Sequence, residues 1–183
     1  CSQPGETDAC GRCPSCQRFD AVGDPDLSFL FPIINNGGKN LCEDHLSEWR
    51  TFLQLGAYTR YEEWLRLLAG EGKKASIFTR EGESLQQTSG KGYRILLIWL
   101  PEKMQEALGN KLLKLVEEPP ERTLIFMVSM DEQSVLTTLR SRMQITRLRP
   151  LPAEEIERAL LALPSPPPDA DAVYAAHMCQ GNY

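Results

Sequence analysis

No stretch of this sequence stays apolar for the roughly 18–20 residues that a membrane-crossing helix needs, which excludes such a helix. Basic charge is also short: 20 Lys and Arg stand against 25 Asp and Glu, a formal net charge of −5. A protein that holds nucleic acid through its overall field needs the opposite balance, so any such role falls to a local patch or a partner. No secretory signal is visible, no internal repeat is evident, and the first residue is Cys1 rather than Met. These features read as a fragment of a longer, cytoplasmic protein. What is present is ordinary for a globular chain. Over 183 residues, 42% are hydrophobic and 25% charged, which excludes collagen, coiled coil and wholesale disorder. The length suits one domain with a true core plus part of a second.

The six cysteines are unevenly spread. Cys1, Cys10, Cys13 and Cys16 form C-x8-C-x2-C-x2-C, while Cys42 and Cys179 stand apart. The C-x2-C spacing lets two thiolates face one metal from a tight turn, and four thiolates close a tetrahedral zinc site. Gly11, Pro14 and Ser15 between them suit a knuckle. Such a site has no open coordination position, so the zinc is expected to be structural. The alternative is a pair of disulfides in a secreted domain, but the rest of the chain is unlike a small disulfide scaffold. Cys42 and Cys179 read as buried or half-buried thiols. His45 and His177, near them in sequence, stay unassigned.

Patterning along the rest of the chain predicts an α/β fold. A turn at Asp24-Pro25-Asp26 leads to a strand over Phe29–Ile34, which Asn35-Asn36-Gly37-Gly38 breaks. Helices are expected from about Glu43 to Leu55 and from Tyr61 to Leu68. Between Glu71 and Gly92 a short strand at Ala75–Thr79 and a helix near Glu81–Gln87 are both open. Ile95–Leu100 is a continuous apolar run, as expected of a strand buried on both faces. Pro101 stands where a helix could begin. Met104, Leu108, Leu112, Leu115 and Val116 continue that helix to Glu118, and Pro119-Pro120 stops it. Thr123–Val128 reads as a second buried strand. Strand, helix, strand in this order is a βαβ unit with parallel strands. Beyond it come a short helix at Gln133–Arg140, a strand near Gln144–Leu148, and helices at 153–163 and 169–180.

Two Gly-Lys pairs fail as phosphate loops. A Walker A loop needs Gly five residues before the Gly-Lys pair and Ser or Thr after the Lys. Around Gly38-Lys39 those places hold Ile33 and Asn40, and around Gly90-Lys91 they hold Leu85 and Gly92. Both read as ordinary loops. The helix end Asn110–Pro120 is less ordinary, because Glu117 and Glu118 sit where the helix dipole disfavours carboxylates. Each costs a few tenths of a kcal/mol, which points to another demand on those positions. A solvated helix end is the plainer alternative.

At this helix end the sequence resembles the bacterial clamp-loader subunits of DNA polymerase III, which are AAA+ proteins. Asn110–Pro120 resembles their N-x-LLK-x-x-EEPP segment, and Leu139–Gln144 resembles their L-x-SRC-Q segment, with Met143 in place of Cys. The cysteine knuckle matches their zinc module, Ile95–Leu100 falls at their Walker B strand, and Gly181-Asn182 echoes the start of their sensor-2 helix. The resemblance implies a three-layer AAA+ parallel sheet over residues 21–150 without its Walker A region. It adds an inserted zinc knuckle at 1–20 and the start of a helical lid at 151–183. A hydrolysing member ends the Walker B strand with an acidic pair, one acid for Mg²⁺ and one for the attacking water. Trp99 and Leu100 occupy those places and can do neither, a pattern similar to the non-hydrolysing δ′-type members.

The resemblance further implies that Arg142 is an arginine finger, reaching in trans into the ATP site of a neighbouring subunit. Helix-end capping or an ion pair is the structural alternative for that residue. Arg140, Arg142, Arg147 and Arg149 form a run without an acid, either phosphate-facing or simply solvated. Ser129 falls at the sensor-1 position. The implied partners are the γ/τ ATPase subunits, δ, the sliding clamp and, through the complex, primed DNA. Zinc is the implied cofactor, and ATP is held by the neighbour. Two other functions compete with this one: an active γ/τ-type ATPase, which needs the absent acidic pair, and a stand-alone zinc nucleic-acid binder, for which Arg12 and Arg18 supply little charge. Residues 43–90 carry no assigned role.

Overall fold

A computed structural model of the chain describes residues 1, 3–6, 8–34, 41–55, 60–68, 75–77, 92–163 and 165–179. It contains three parallel strands in sequence order, β1 (Leu27–Leu30), β2 (Arg94–Trp99) and β3 (Thr123–Val128). Seven helices are described: α1 (Pro14–Asp20), α2 (Leu46–Gln54), α3 (Tyr61–Leu67), α4 (Glu106–Glu117), α5 (Thr137–Arg140), α6 (Ala153–Leu161) and α7 (Asp169–Met178). The chain divides into two compact units, Cys1–Gln144 and Ile145–Tyr183.

In the first unit β2 is central. Leu27 pairs with Ile95 and Ile95 with Leu124; at the other end Trp99 pairs with Val128. The expected βαβ unit is therefore present as β2-α4-β3. Side chains alternate across a strand, so Leu96, Ile98 and Leu100 share one face and Ile95, Leu97 and Trp99 the other. The first face is buried, and its Leu96 and Ile98 join the Leu108, Leu112 and Leu115 row of α4 in one core. The second face carries Phe29 and Trp99 to the ring of Trp49 on α2, at centroid distances of 5.8 and 5.5 Å. Phe31, Phe52, Tyr61 and Trp64 complete an aromatic cluster. Trp64 is wholly buried, and its Nε1 donates to the carbonyl of Pro32 at 2.7 Å. The helices of the 43–68 segment thus have a structural role, since they cover the β1–β2 side of the sheet.

Several sequence expectations shift. The first strand ends at Leu30; Ile33 instead forms an isolated antiparallel bridge with Ser76. Of the two readings for 71–92, a bridge-forming extended piece is seen at Ser76 and Ile77. The alternative helix at 81–87, both Gly-Lys pairs and Gly181-Asn182 lie outside the described residues. The helix expected from residue 102 begins at Glu106. Met104 is held extended by a parallel bridge to Ile77, whose N–H donates to Lys103 O and whose carbonyl accepts from Gln105 N–H, both at 3.0 Å. Pro101–Lys103 forms only a 3-10 turn. The Gln133–Arg140 helix is split into a 3-10 turn at Glu132–Ser134 and α5.

Two differences concern strand pairing. β3 is not buried on both faces: Leu124, Phe126 and Val128 are 41, 51 and 47% exposed. Among the described residues it is an edge strand, and that row is only half covered. Residues 144–150 form no strand, and Ile145 and Leu148 are exposed. A strand needs a neighbour whose backbone it can bond, and no described strand takes that place.

In the second unit α6 and α7 pack on each other, and Ile156, Ala172 and Ala176 are buried. No described helix is long and apolar enough to cross a membrane.

Candidate functional site: a four-thiol cluster and the Arg142 edge

The knuckle is built by one turn and one helix start. Gly11 takes the left-handed conformation at φ 66°, which a side chain would resist, and so reverses the chain between Cys10 and Cys13. Cys13 is the N-cap of α1, Pro14 supplies the preset φ of the first helical residue, and Cys16 lies in the first turn. Helix α1 is not legible in the cysteine spacing. The four sulfurs of Cys1, Cys10, Cys13 and Cys16 all lie within 4.8 Å of one another. Cys13 Sγ is 3.5 Å and Cys10 Sγ 4.0 Å from Cys16 Sγ.

A tetrahedron of thiolates at zinc–sulfur distances has edges of about 3.8 Å, whereas a disulfide needs about 2.05 Å. The donor set therefore fits a metal ion, and none of the six cysteines forms a disulfide among the described residues. The thiol–thiol contact with Cys13, followed by desolvation, pushes the Cys16 thiol above its ordinary pKa. Crowded thiols resist ionising together, and a bound cation reverses that preference.

Cys42 and Cys179 take no part. Cys42 is buried, accepting from Phe31 N–H at 3.4 Å and donating to Phe31 O at 3.3 Å. Cys179 donates to Ala176 O. His45 is buried and His177 exposed, and neither joins the four-thiol group.

At the C-terminal end of β2 stand Trp99 and Leu100. The Trp99 ring lies 5.0 Å from Phe52 and 6.4 Å from Tyr61 and Trp64, inside the aromatic cluster. Leu100 is 2% exposed and adopts the left-handed conformation at φ 56°, unusual for a branched side chain. Both side chains serve packing. Two residues on, Glu102 carries a carboxylate that sequence patterning does not single out. Its Oε2 accepts from Ser129 Oγ at 2.8 Å and its Oε1 from Met130 N–H at 3.3 Å. Ser129 Oγ in turn accepts from Asp131 N–H. Ser129 and Glu102 thus tie the loops leaving β2 and β3 to each other.

The exposed Arg142 follows the four-residue helix α5. Its Nε donates to Glu117 Oε1 at 2.6 Å, and its Nη1 to Thr138 O at 2.9 Å and to Ser141 Oγ at 3.3 Å. In the sequence Glu117 is only part of an unusual helix end; its partner is 25 residues away and no local pattern announces it. Arg140 donates to Glu132 O. Arg147 and Arg149 belong to the second unit.

Residues 1–152 match the family model described as DNA polymerase III, delta subunit. The chain is 28% identical over 154 residues to DNA polymerase III subunit delta' of Escherichia coli (strain K12), covering 84% of this chain and 36% of that protein. It is 46% identical over 144 residues to the subunit of the same name from Yersinia pestis, covering 78% and 32%. A shorter similarity, 39% over 70 residues, links 38% of the chain to 12% of DNA polymerase III subunit gamma/tau from Mycobacterium bovis. The chain spans 34 to 42% of the length of three of the delta' relatives.

Proposed function

The chain belongs to the DNA polymerase III delta subunit family, and from that premise we propose that it is part of a δ′-type, non-hydrolysing subunit of the clamp loader. In this reading residues 21–150 are part of an AAA+ α/β body, with a zinc knuckle at 1–20 and the start of a helical lid at 151–183. The subunit joins γ/τ ATPase subunits and δ in a cytoplasmic complex that loads the sliding clamp onto primed DNA. Cys1, Cys10, Cys13 and Cys16 hold a structural zinc ion, which ties the first residues to the start of α1.

One observation carries the non-hydrolysing role: the strand end that would need two acids presents Trp99, packed among rings, and Leu100, buried. A cleaved phosphoanhydride needs Mg²⁺ organised by a carboxylate and a water oriented by another, and an indole and an isobutyl group do neither. The nearby carboxylate of Glu102 is engaged by Ser129 and Met130. The same end of the sheet therefore favours this reading over an active γ/τ-type ATPase.

Arg142 acts on a neighbour. Its guanidinium is exposed after a short helix, and such a group stabilises charge developing on a transferred phosphoryl, worth roughly 10³–10⁵ in rate where it acts as a finger. In the complete subunit assembled with ATPase subunits, Arg142→Ala is expected to lower ATP turnover sharply and leave assembly intact. An unchanged rate removes the finger.

A further inference from the structure

Arg142 and Glu117 are brought together by one close approach of two helices. Gly109 lies in the middle of α4, and a Cβ there would run into Cδ1 of Leu136, the residue that caps α5. The missing side chain leaves room for the Leu136 side chain against α4. The chain leaving α5 then reaches the last turn of α4, where Glu117 receives Arg142 Nε at 2.6 Å. Nη1 is bound to Thr138 O and Ser141 Oγ, while Nη2 takes no hydrogen bond among the described residues. A carboxylate at a helix C-terminus is unfavourable by itself, and Glu117 now has a reason to be there. Both side chains are well exposed, 39% for Arg142 and 46% for Glu117, and such pairs add little to stability. The pair's effect therefore lies in where it holds the guanidinium.

We propose that Glu117 is a positioning residue for Arg142: it grips the Nε edge of the guanidinium and leaves Nη2 directed outward, toward a phosphate of a nucleotide bound by the neighbouring subunit. The proposal rests on the reading of Arg142 as a finger. An arginine side chain is long and flexible, and one already oriented loses less freedom on meeting a phosphate. Misplacement by about 1 Å can cost on the order of 100-fold in rate. Ser141 and the Thr138 carbonyl hold one nitrogen, but only Glu117 adds a second, charged contact.

The test is ATP turnover by the assembled clamp loader carrying the complete subunit. Glu117→Ala is expected to lower kcat on the order of tenfold with KM for ATP unchanged, because the loss falls on the transition state. Glu117→Gln retains an oxygen that accepts from Nε and should keep most of the rate. Glu118→Ala, one residue on and without a side-chain bond to Arg142, should match the wild type. Arg142→Ala/Glu117→Ala should be no slower than Arg142→Ala alone, and the melting temperature of each variant should stay close to wild type. The proposal is overturned if Glu117→Ala is as fast as wild type or faster, or if it slows the Arg142→Ala complex further. If Arg142→Ala lowers the rate while Glu117→Ala does not, the finger stands and only the positioning role falls. If Arg142→Ala itself changes nothing, both readings fall together.

Discussion

Placing Asp at Trp99 and Glu at Leu100 would supply both acids that a hydrolysing relative of this fold requires. Packing decides whether the strand end can accept them. Leu100 is 2% exposed, and losing the burial of such a side chain costs about 1.5–3 kcal/mol. The carboxyl that replaces it finds no designed partner, which adds about 1–3 kcal/mol. It also inherits a left-handed backbone that does not favour Glu. Trp99→Asp removes a ring in contact with Trp49, Phe52, Tyr61 and Trp64. Removing a fully buried aromatic costs about 3–5 kcal/mol, so this half-buried one should cost about 2 kcal/mol.

The pair together should remove about 5 kcal/mol or more, a large part of the roughly 5–15 kcal/mol that holds a domain folded. At a few degrees per kcal/mol the melting midpoint should fall by roughly 10–20 °C. The assays are thermal unfolding with and without Mg²⁺ and ATP, and ATP turnover by the purified complete subunit. Turnover should be absent and Mg²⁺-ATP should not restore the lost stability. The reasoning fails if the double variant melts within about 3 °C of wild type, or if it hydrolyses ATP by itself.

Three further outcomes are expected. Elemental analysis of the purified protein should find about one zinc per chain, lost in Cys13→Ser/Cys16→Ser; a folded, metal-free protein with the four cysteines in disulfides would overturn the site. Trp64→Phe should destabilise by about 1–3 kcal/mol in chemical denaturation, because the buried Pro32 carbonyl loses its 2.7 Å donor; an unmoved midpoint would contradict this. Asp131 caps the 132–134 turn. The Ser134 hydroxyl, which donates at 2.5 Å, and the N–H groups of Gln133 and Ser134 hold its carboxyl below the usual 3.8, with desolvation opposing them. A lowered folded-state pKa stabilises above the unfolded value and is lost as pH falls through the folded one. The stability difference between wild type and Asp131→Asn should therefore be constant above pH 3.8 and shrink below it; a difference that grows on acidification would reverse the assignment.

The sequence by itself determined the elements whose signals are local. Ile95–Leu100 and Thr123–Val128 are apolar runs between turn residues and became β2 and β3 within a residue. The intervening helical spacing and the Pro119-Pro120 stop became α4. The four-thiol cluster was legible because thiols that share a turn recur at short, fixed intervals. Tertiary structure alone decided what depends on residues far apart in the chain. Met104 is extended because Ile77 bonds the backbone beside it, and this delays α4 to Glu106. β3 is half exposed because the described helices that cover β1 and β2 on one face do not cover it fully, which its own composition does not announce. Residues 144–148 read as a strand yet form none, since a strand exists only with a neighbour. Glu117 is a misplaced charge in the sequence, and only the packing of α5 on α4 brings Arg142 to the end of its helix. Periodicity records which face of an element is apolar; which partner meets that face is settled only when the chain has folded.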